Sequence, residues 1–245
     1  MKRIFLTLIL SLCLLITPLW AGQRYIKFDA QTGGWTATNT VTGATSGATA
    51  VIKEIQDDGT TGVLELVQVV GTFQDNEIIY ESALGEELVA NGGFAANTIG
   101  WTPGNCTLSS AAGGQIGNCL KALLPNASVG WGGQEVTVET SKFYRIAFFH
   151  HGQAGTGDEC NGGIDIDSAA FASTGNLINS GSLIDADWVE RNYILEAIST
   201  SFFLTFWTNC GTQFDYTLWD EISVKVITNA ALINGSPFGG ARAIW

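Results

Sequence analysis

Thr49-Ala-Val-Ile-Lys-Glu-Ile-Gln56, then Asp57-Asp58-Gly59, then Gly62-Val-Leu-Glu-Leu-Val-Gln-Val-Val70 is the stretch whose reading decides the fold class. Two apolar, β-branched runs flank an Asp-Gly pair, and this predicts a β-hairpin, because glycine accepts the positive φ that a tight turn demands. Upstream, residues 38–42 read as a strand and 43–47 as a turn; downstream, 77–80 read as another strand. Along the whole chain apolar residues come in runs of roughly four to eight bounded by Gly, Asn or Asp, without long helical periodicity. The composition agrees: 46% hydrophobic, 14% charged and 30 glycines. The expected fold class is all-β, with a small N-terminal β module followed by a larger β domain.

The first residues have the layout of a secretory signal peptide: Lys2 and Arg3, an apolar run from Ile4 to Ile16, then Pro18, Trp20 and Ala21. That run is shorter than the ~20 residues of a spanning helix, so export without a membrane span is expected, to the extracellular space, the periplasm or the cell surface. The domain reading is a signal peptide over 1–21, a small β module over 22–86, a larger β domain over 87–228 and a linker or docking tail over 229–245. A module of roughly 60 residues is near the lower limit for a self-sufficient core. It is therefore expected to lean on its neighbour or on copies of itself.

Loss of the signal peptide removes Cys13 and leaves Cys106, Cys119, Cys160 and Cys210, an even set that in an exported chain predicts disulfides. A turn centred on Ala112, Gly113 and Gly114 would set Cys106 opposite Cys119, and Cys160 would then join Cys210. No Cys-x-x-Cys spacing supports zinc. The formal net charge of -12 repels phosphate backbones, so nucleic acid is not an expected partner. Catalysis is not expected either. Asp158, Glu159, Asp165, Asp167, Asp185 and Asp187 are the carboxylates a glycosidase would draw on, but clustering alone makes no acid–base pair. His150 and His151 are the only histidines, and no Gly-x-Ser-x-Gly occurs.

Two resemblances add to this reading. Val41-Thr-Gly-Ala-Thr-Ser-Gly-Ala-Thr-Ala50 with Gly71-Thr-Phe-Gln-Asp-Asn-Glu-Ile-Ile79 resembles a small β module of uncharacterised phage virion and tail proteins, which implies an assembly or spacer role. Leu88-Val-Ala-Asn91-Gly-Gly-Phe94, Gly100-Trp101, Gln134-Glu-Val-Thr-Val138, Tyr144-Arg-Ile-Ala-Phe148, Trp188 ahead of Tyr193-Ile-Leu-Glu-Ala197, and Leu218-Trp-Asp220-Glu-Ile-Ser-Val224 together resemble the jelly-roll carbohydrate-binding modules. That resemblance implies a jelly-roll β-sandwich over 87–228, a glycan or polysaccharide partner and a structural calcium ion held in part by Asp220. Ala95 stands where a second acidic ligand would be.

Sugar binding needs flat aromatic faces rimmed by polar groups. The resemblance makes Tyr144, Ile146 and Phe148 core positions, so alternation turns Arg145, Phe149 and His151 toward a cleft. Parity likewise turns Trp219 away from Asp220, and glycines around Trp131 place it in a loop. The expected site is a platform of Trp131, Phe149, Trp207 and Trp219 with Arg145, His151 and Asp165 as polar partners; Trp101 and Trp188 are assigned to the core. The function expected is a non-catalytic extracellular glycan-binding or adhesion protein. The alternatives are a structural subunit of a phage virion, tail or surface fibre that self-assembles without a sugar ligand, and a glycoside hydrolase accessory or catalytic protein.

Overall fold

A computed structural model describes residues 25–81, 84–126, 129–152, 160–168, 177–211 and 214–234. The expected signal peptide, Asp158, Glu159 and Trp245 lie outside them. In chain order the strands are β1 Tyr25–Thr32, β2 Thr40–Gly43, β3 Thr49–Asp57, β4 Gly62–Val70, β5 Ile78–Glu81, β6 Leu84–Glu87, β7 Thr102–Gly104, β8 Thr107–Ala112 and β9 Asn118–Leu123. They continue with β10 Val129–Thr137, β11 Phe143–Gly152, β12 Asn161–Asp167, β13 Ile178–Asn179, β14 Asp185–Glu196, β15 Ser201–Asn209, β16 Tyr216–Ile227 and β17 Ala230–Ile233. The chain is all-β, as its composition predicts, and divides into two units.

The first unit is a closed barrel in the order β1-β17-β5-β2-β3-β4. The opening hairpin is present as β3 and β4, with Asp57 opposite Gly62. Its turn is fixed by Asp58, which accepts hydrogen bonds from the Thr61 and Thr60 amides and both threonine hydroxyls; these bonds, the Thr61 amide foremost, lower its pKa to about 2. Inside the barrel Ile26, Phe28, Val41, Ile52, Leu64, Leu66 and Phe73 are buried together.

Residues 229–234 are not the start of a linker. Ala230–Ile233 enters the barrel between β1 and β5 and closes it. Closure removes the free strand edges through which an open sheet pairs with other chains. The Glu81 amide donates to the Asn229 carbonyl at 3.0 Å, so the chain leaves this unit and returns to it at adjoining points, with the second unit inserted between them.

The signature loop of the barrel is organised by one buried carboxylate. Glu77 accepts hydrogen bonds from the amides of Thr45, Ser46 and Gln74 and from the Ser46 hydroxyl. Gly43 lies beneath it, with no room for a side chain: a Cβ there would stand 2.7 Å from the Glu77 carboxylate.

The second unit is a β-sandwich of the jelly-roll kind. One sheet runs β13-β12-β15-β10-β7 and the other β14-β11-β16-β9-β8, with β6 added beside β16. Between them lies a core of Phe94, Trp101, Tyr144, Ile146, Phe148, Ile164, Leu204, Phe206 and Val224. Trp101 is a core residue as expected.

Expectations for Trp219, Trp188 and Cys106 fail in this unit. Trp219 is fully buried in the core rather than on a binding face. A bulge opposite Ala147 and Phe149, with Glu221 at φ 48°, inserts a residue into β16, so Trp219 and Ile222 both point inward. Trp188 is only half-buried, its indole N–H donating to the Gly113 carbonyl at 3.3 Å. Cys106 and Cys119 are free thiols. The β8–β9 turn spans 113–117, since Ala112 pairs with Asn118; Cys119 therefore faces Ala111, and Cys106 lies beyond Thr107, which pairs with Leu123. Cys160–Cys210 is the disulfide.

Candidate glycan-binding face

The outer face of the five-stranded sheet is built around one register row. Gly104 on β7 stands opposite Trp131 on β10, Trp131 opposite Trp207 on β15, and Trp207 opposite Gly163 on β12. Directly opposed residues in antiparallel strands share a face. The chain neighbours of both tryptophans, Gly130, Gly132, Phe206 and Thr208, are buried, so the indoles themselves point outward and are half-buried. Trp131 thus sits within a strand, not in the loop its glycine neighbours suggest.

The two glycines hold the rings down. A Cβ on Gly104 would come within 2.0 Å of Trp131 Cε2, and one on Gly163 within 2.2 Å of Trp207 Cζ2. Each indole therefore lies flat on the backbone of the outer neighbouring strand, Trp131 leaning toward β7 and Trp207 toward β12. Glycine inside a strand marks such close approaches.

The next rows on the same face carry polar groups. Asp165 pairs with Thr205, and Asp167 with Phe203; Glu135 pairs with Phe203 from the other side. Asp165 and Thr205 are each 1% exposed, and among the described residues neither Asp165 oxygen nor Thr205 Oγ1 has a hydrogen-bond partner. Burial, reinforced by the neighbouring Asp167, pushes the Asp165 pKa up to about 6, against a smaller lowering from the Trp207 indole N–H, which lies outside strict hydrogen-bond geometry.

The remaining expected site residues do not join this face. Arg145, Phe149 and His151 lie on the outer face of the other sheet. Arg145 donates to Glu190 at 3.1 Å and to Asn192. Phe149 lies between Glu190 and Asp220 in register. The His151 ring is 5.4 Å from Trp188. The expected single platform thus divides: Trp131, Trp207 and Asp165 belong together, Arg145, Phe149 and His151 lie on the opposite side, and Trp219 belongs to neither. The pairing of Trp188 with His151 was missed, because a tryptophan ahead of a strand carries no sign of the face it takes.

A buried charge cluster was missed as well. His150 Nδ1 lies 2.7 Å from Asp185, which also accepts from Arg191. His150 is fully buried and its pKa is lowered by burial, an effect that outweighs the Asp185 hydrogen bond. Among the described residues its Nε2 and the Trp219 indole N–H have no partner; Asp185, paired with Arg191, is held in an ion pair rather than poised across a cleft.

The donors around Asp220 do not fit the calcium ion implied by the resemblance. Asp220 is buried, and its two oxygens accept the amides of Ile116 at 2.9 Å and Glu221 at 2.8 Å. The Ala95 carbonyl is taken by the Asn118 amide group at 3.1 Å. Calcium requires roughly six to eight inward-facing oxygens. Among the described residues no group of three or more His, Cys, Asp and Glu side chains comes together to hold a metal.

No protein-family model and no curated protein matches this chain. Solved structures do. The xylan-binding CBM22-1 domain of Paenibacillus barcinonensis Xyn10C is similar over 60% of this chain and 98% of that one, with 16% identity and a TM-score of 0.46. TmCBM61 in complex with β-1,4-galactotriose is similar over 57% of this chain and 98% of that one, with 16% identity and a TM-score of 0.42. The enzymatically active domain of bacteriophage CBA120 tailspike protein 4 is similar over 58% of this chain and 21% of that one, with 11% identity and a TM-score of 0.43.

Proposed function

We propose that this chain is an exported, non-catalytic glycan-binding protein, and that its binding surface is the outer face of the five-stranded sheet. The observation that carries the reading is the row Gly104, Trp131, Trp207, Gly163, in which two indoles lie flat on glycine backbone. A flat, immobilised aromatic face is what the C–H face of a pyranose packs against. The rings lean apart across three strand steps, roughly 14 Å at the usual strand spacing. With one sugar unit taken to cover about one strand step, an extended chain lying across the strands would stack on both tryptophans once it exceeds about three units.

The charge on this face selects the chemistry. Asp165, Asp167 and Glu135 share it with the tryptophans. Lys121 stacks over Tyr216 and Arg145 pairs with Glu190, both on the other sheet. Uncharged glycans are accordingly the proposed ligands, and uronate or sulfate polysaccharides are repelled. Affinity electrophoresis of the wild type, Trp131→Ala and Trp207→Ala in neutral and in anionic polysaccharide gels tests this. Retardation in neutral gels that each substitution abolishes supports it; equal retardation of all three proteins overturns it.

A second reading, a structural subunit of a virion, tail or surface fibre, is favoured by the first unit, whose Glu77-centred loop carries the phage-like signature. Light scattering decides it: a mass that rises with concentration supports assembly, and a constant monomer mass opposes it.

A further inference from the structure

The junction of residues 91–97, the β8–β9 hairpin and the β16 bulge holds a surface pocket of about 440 Å³, lined by Asn91, Phe94, Ala95, Asn118 and Glu221 among others. Three of these, Asn91 at φ 56°, Phe94 at φ 46° and Glu221 at φ 48°, sit in the left-handed region. For phenylalanine and glutamate that conformation is costly and persists only where surrounding contacts enforce it. Something must therefore tie the three segments together at this point.

The ties are hydrogen bonds from neutral side chains. Asn118 Nδ2 donates to the Ala95 carbonyl at 3.1 Å and to Ser110 Oγ at 3.0 Å; Ser110 Oγ in turn donates to the Phe94 carbonyl at 2.7 Å. Asn118 and Ser110 so join two consecutive carbonyls of the 91–97 segment to neighbouring strands. On the other side Asp220 fastens the turn through the Ile116 amide at 2.9 Å. Gly92 completes the seam: its carbonyl accepts the Ile222 amide at 3.0 Å, and a Cβ there would stand 1.8 Å from the Ile222 carbonyl oxygen.

We propose that Asn118 and Ser110 cross-link this junction as a hydrogen-bond clamp in place of a divalent cation, so that the sandwich keeps its fold without calcium. A cation bound by the Ala95 and Phe94 carbonyls and the Asp220 oxygens would have to displace the N–H or O–H donor that each already faces. Glu221 is the carboxylate lining the pocket and supplies at most two charged oxygens, where calcium takes roughly six to eight oxygens in all.

The test uses the full chain. Thermal unfolding is followed in excess EDTA and in millimolar calcium chloride, calcium binding is measured by calorimetric titration, and Asn118→Ala and Ser110→Ala are compared with wild type. The expected result is one unfolding midpoint in both media, no calcium heat, and midpoints lowered by about 2–6 °C in either variant. A wild-type midpoint that drops in EDTA and returns with calcium overturns the proposal, as does a saturating calcium isotherm. Variants that melt with the wild type overturn the clamp; should Asn118→Ala fail to fold, Ser110→Ala and the wild-type titration still decide.

Discussion

Trp131 on β10 stands directly opposite Trp207 on β15, yet the two indoles turn away from each other, one onto Gly104 and the other onto Gly163. The glycines thus set the ring pose as firmly as the strands set the register. Gly104→Ala places a methyl group 2.0 Å from Trp131 Cε2, the three nearest atoms all belonging to that ring, and must lift it. Affinity for a neutral oligosaccharide is expected to fall about tenfold, the size of one lost aromatic contact of ~1.4 kcal/mol, while the circular dichroism spectrum stays that of wild type. Gly163→Ala lifts Trp207 in the same way, at 2.2 Å from its Cζ2, and also meets the Gly181 carbonyl oxygen at 2.6 Å.

Asp165 and His150 oppose each other in the pH dependence of stability. The folded pKa of Asp165 is raised from 3.8 to about 6, so the folded state binds the proton more tightly, and stability from this group rises as pH falls from about 6 toward 3.8. His150 is lowered from 6.5 by burial, so the unfolded state takes the proton first, and stability is lost as pH falls below 6.5. Asp185, Arg191 and His151 are the charged and titratable neighbours that modulate it. Asp165→Asn is expected to raise the unfolding midpoint at pH 7 to 8 by about 2–4 °C. It should also expose the His150 fall in a scan from pH 8 to 5. A variant less stable than wild type at pH 8 contradicts this assignment.

Peptide mapping of exported protein is expected to find one disulfide, Cys160–Cys210, with Cys106 and Cys119 alkylated once the chain is unfolded. The bridge closes a separation of 50 residues, and replacing both cysteines by Ser should cost about 3–4 kcal/mol in denaturant unfolding. A Cys106–Cys119 cross-link would falsify the β8–β9 register.

Glu77→Ala removes the acceptor of four hydrogen bonds at the barrel loop. The first unit should lose about 2–4 kcal/mol, seen as an earlier urea transition, while glycan binding by the second unit is unchanged. An unshifted transition would remove Glu77 from its organising role.

How far the sequence could be read followed from how local each feature is. The β3–β4 hairpin is written in consecutive residues, with Asp58 and Gly59 fixing its turn, and it was readable. So was Trp207, whose strand alternates without interruption through Leu204 and Phe206. Trp219 was not, because alternation counts residues and the bulge at Glu221 adds one that only the pairing with β11 reveals. The Cys106 pairing failed because the turn is centred on Gln115 rather than on Gly113, a shift that the three glycines within 113–117 do not fix. β17 is four apolar residues whose burial exists only once β1 and β5 flank them. Gly104 and Gly163 could have been noticed, since glycine within a strand signals close approach, but the ring above each becomes visible only across the sheet.

The most direct measurement is the affinity of the wild type, Trp131→Ala and Trp207→Ala for neutral oligosaccharides of increasing length, by isothermal titration. We expect wild-type affinity to climb until the chain exceeds about three units, as both rings come within reach at the strand spacing. Each substitution should remove that length dependence and lower affinity at least about tenfold. Wild-type binding that is absent for every neutral glycan, or that survives loss of both tryptophans, would contradict the assignment of this face.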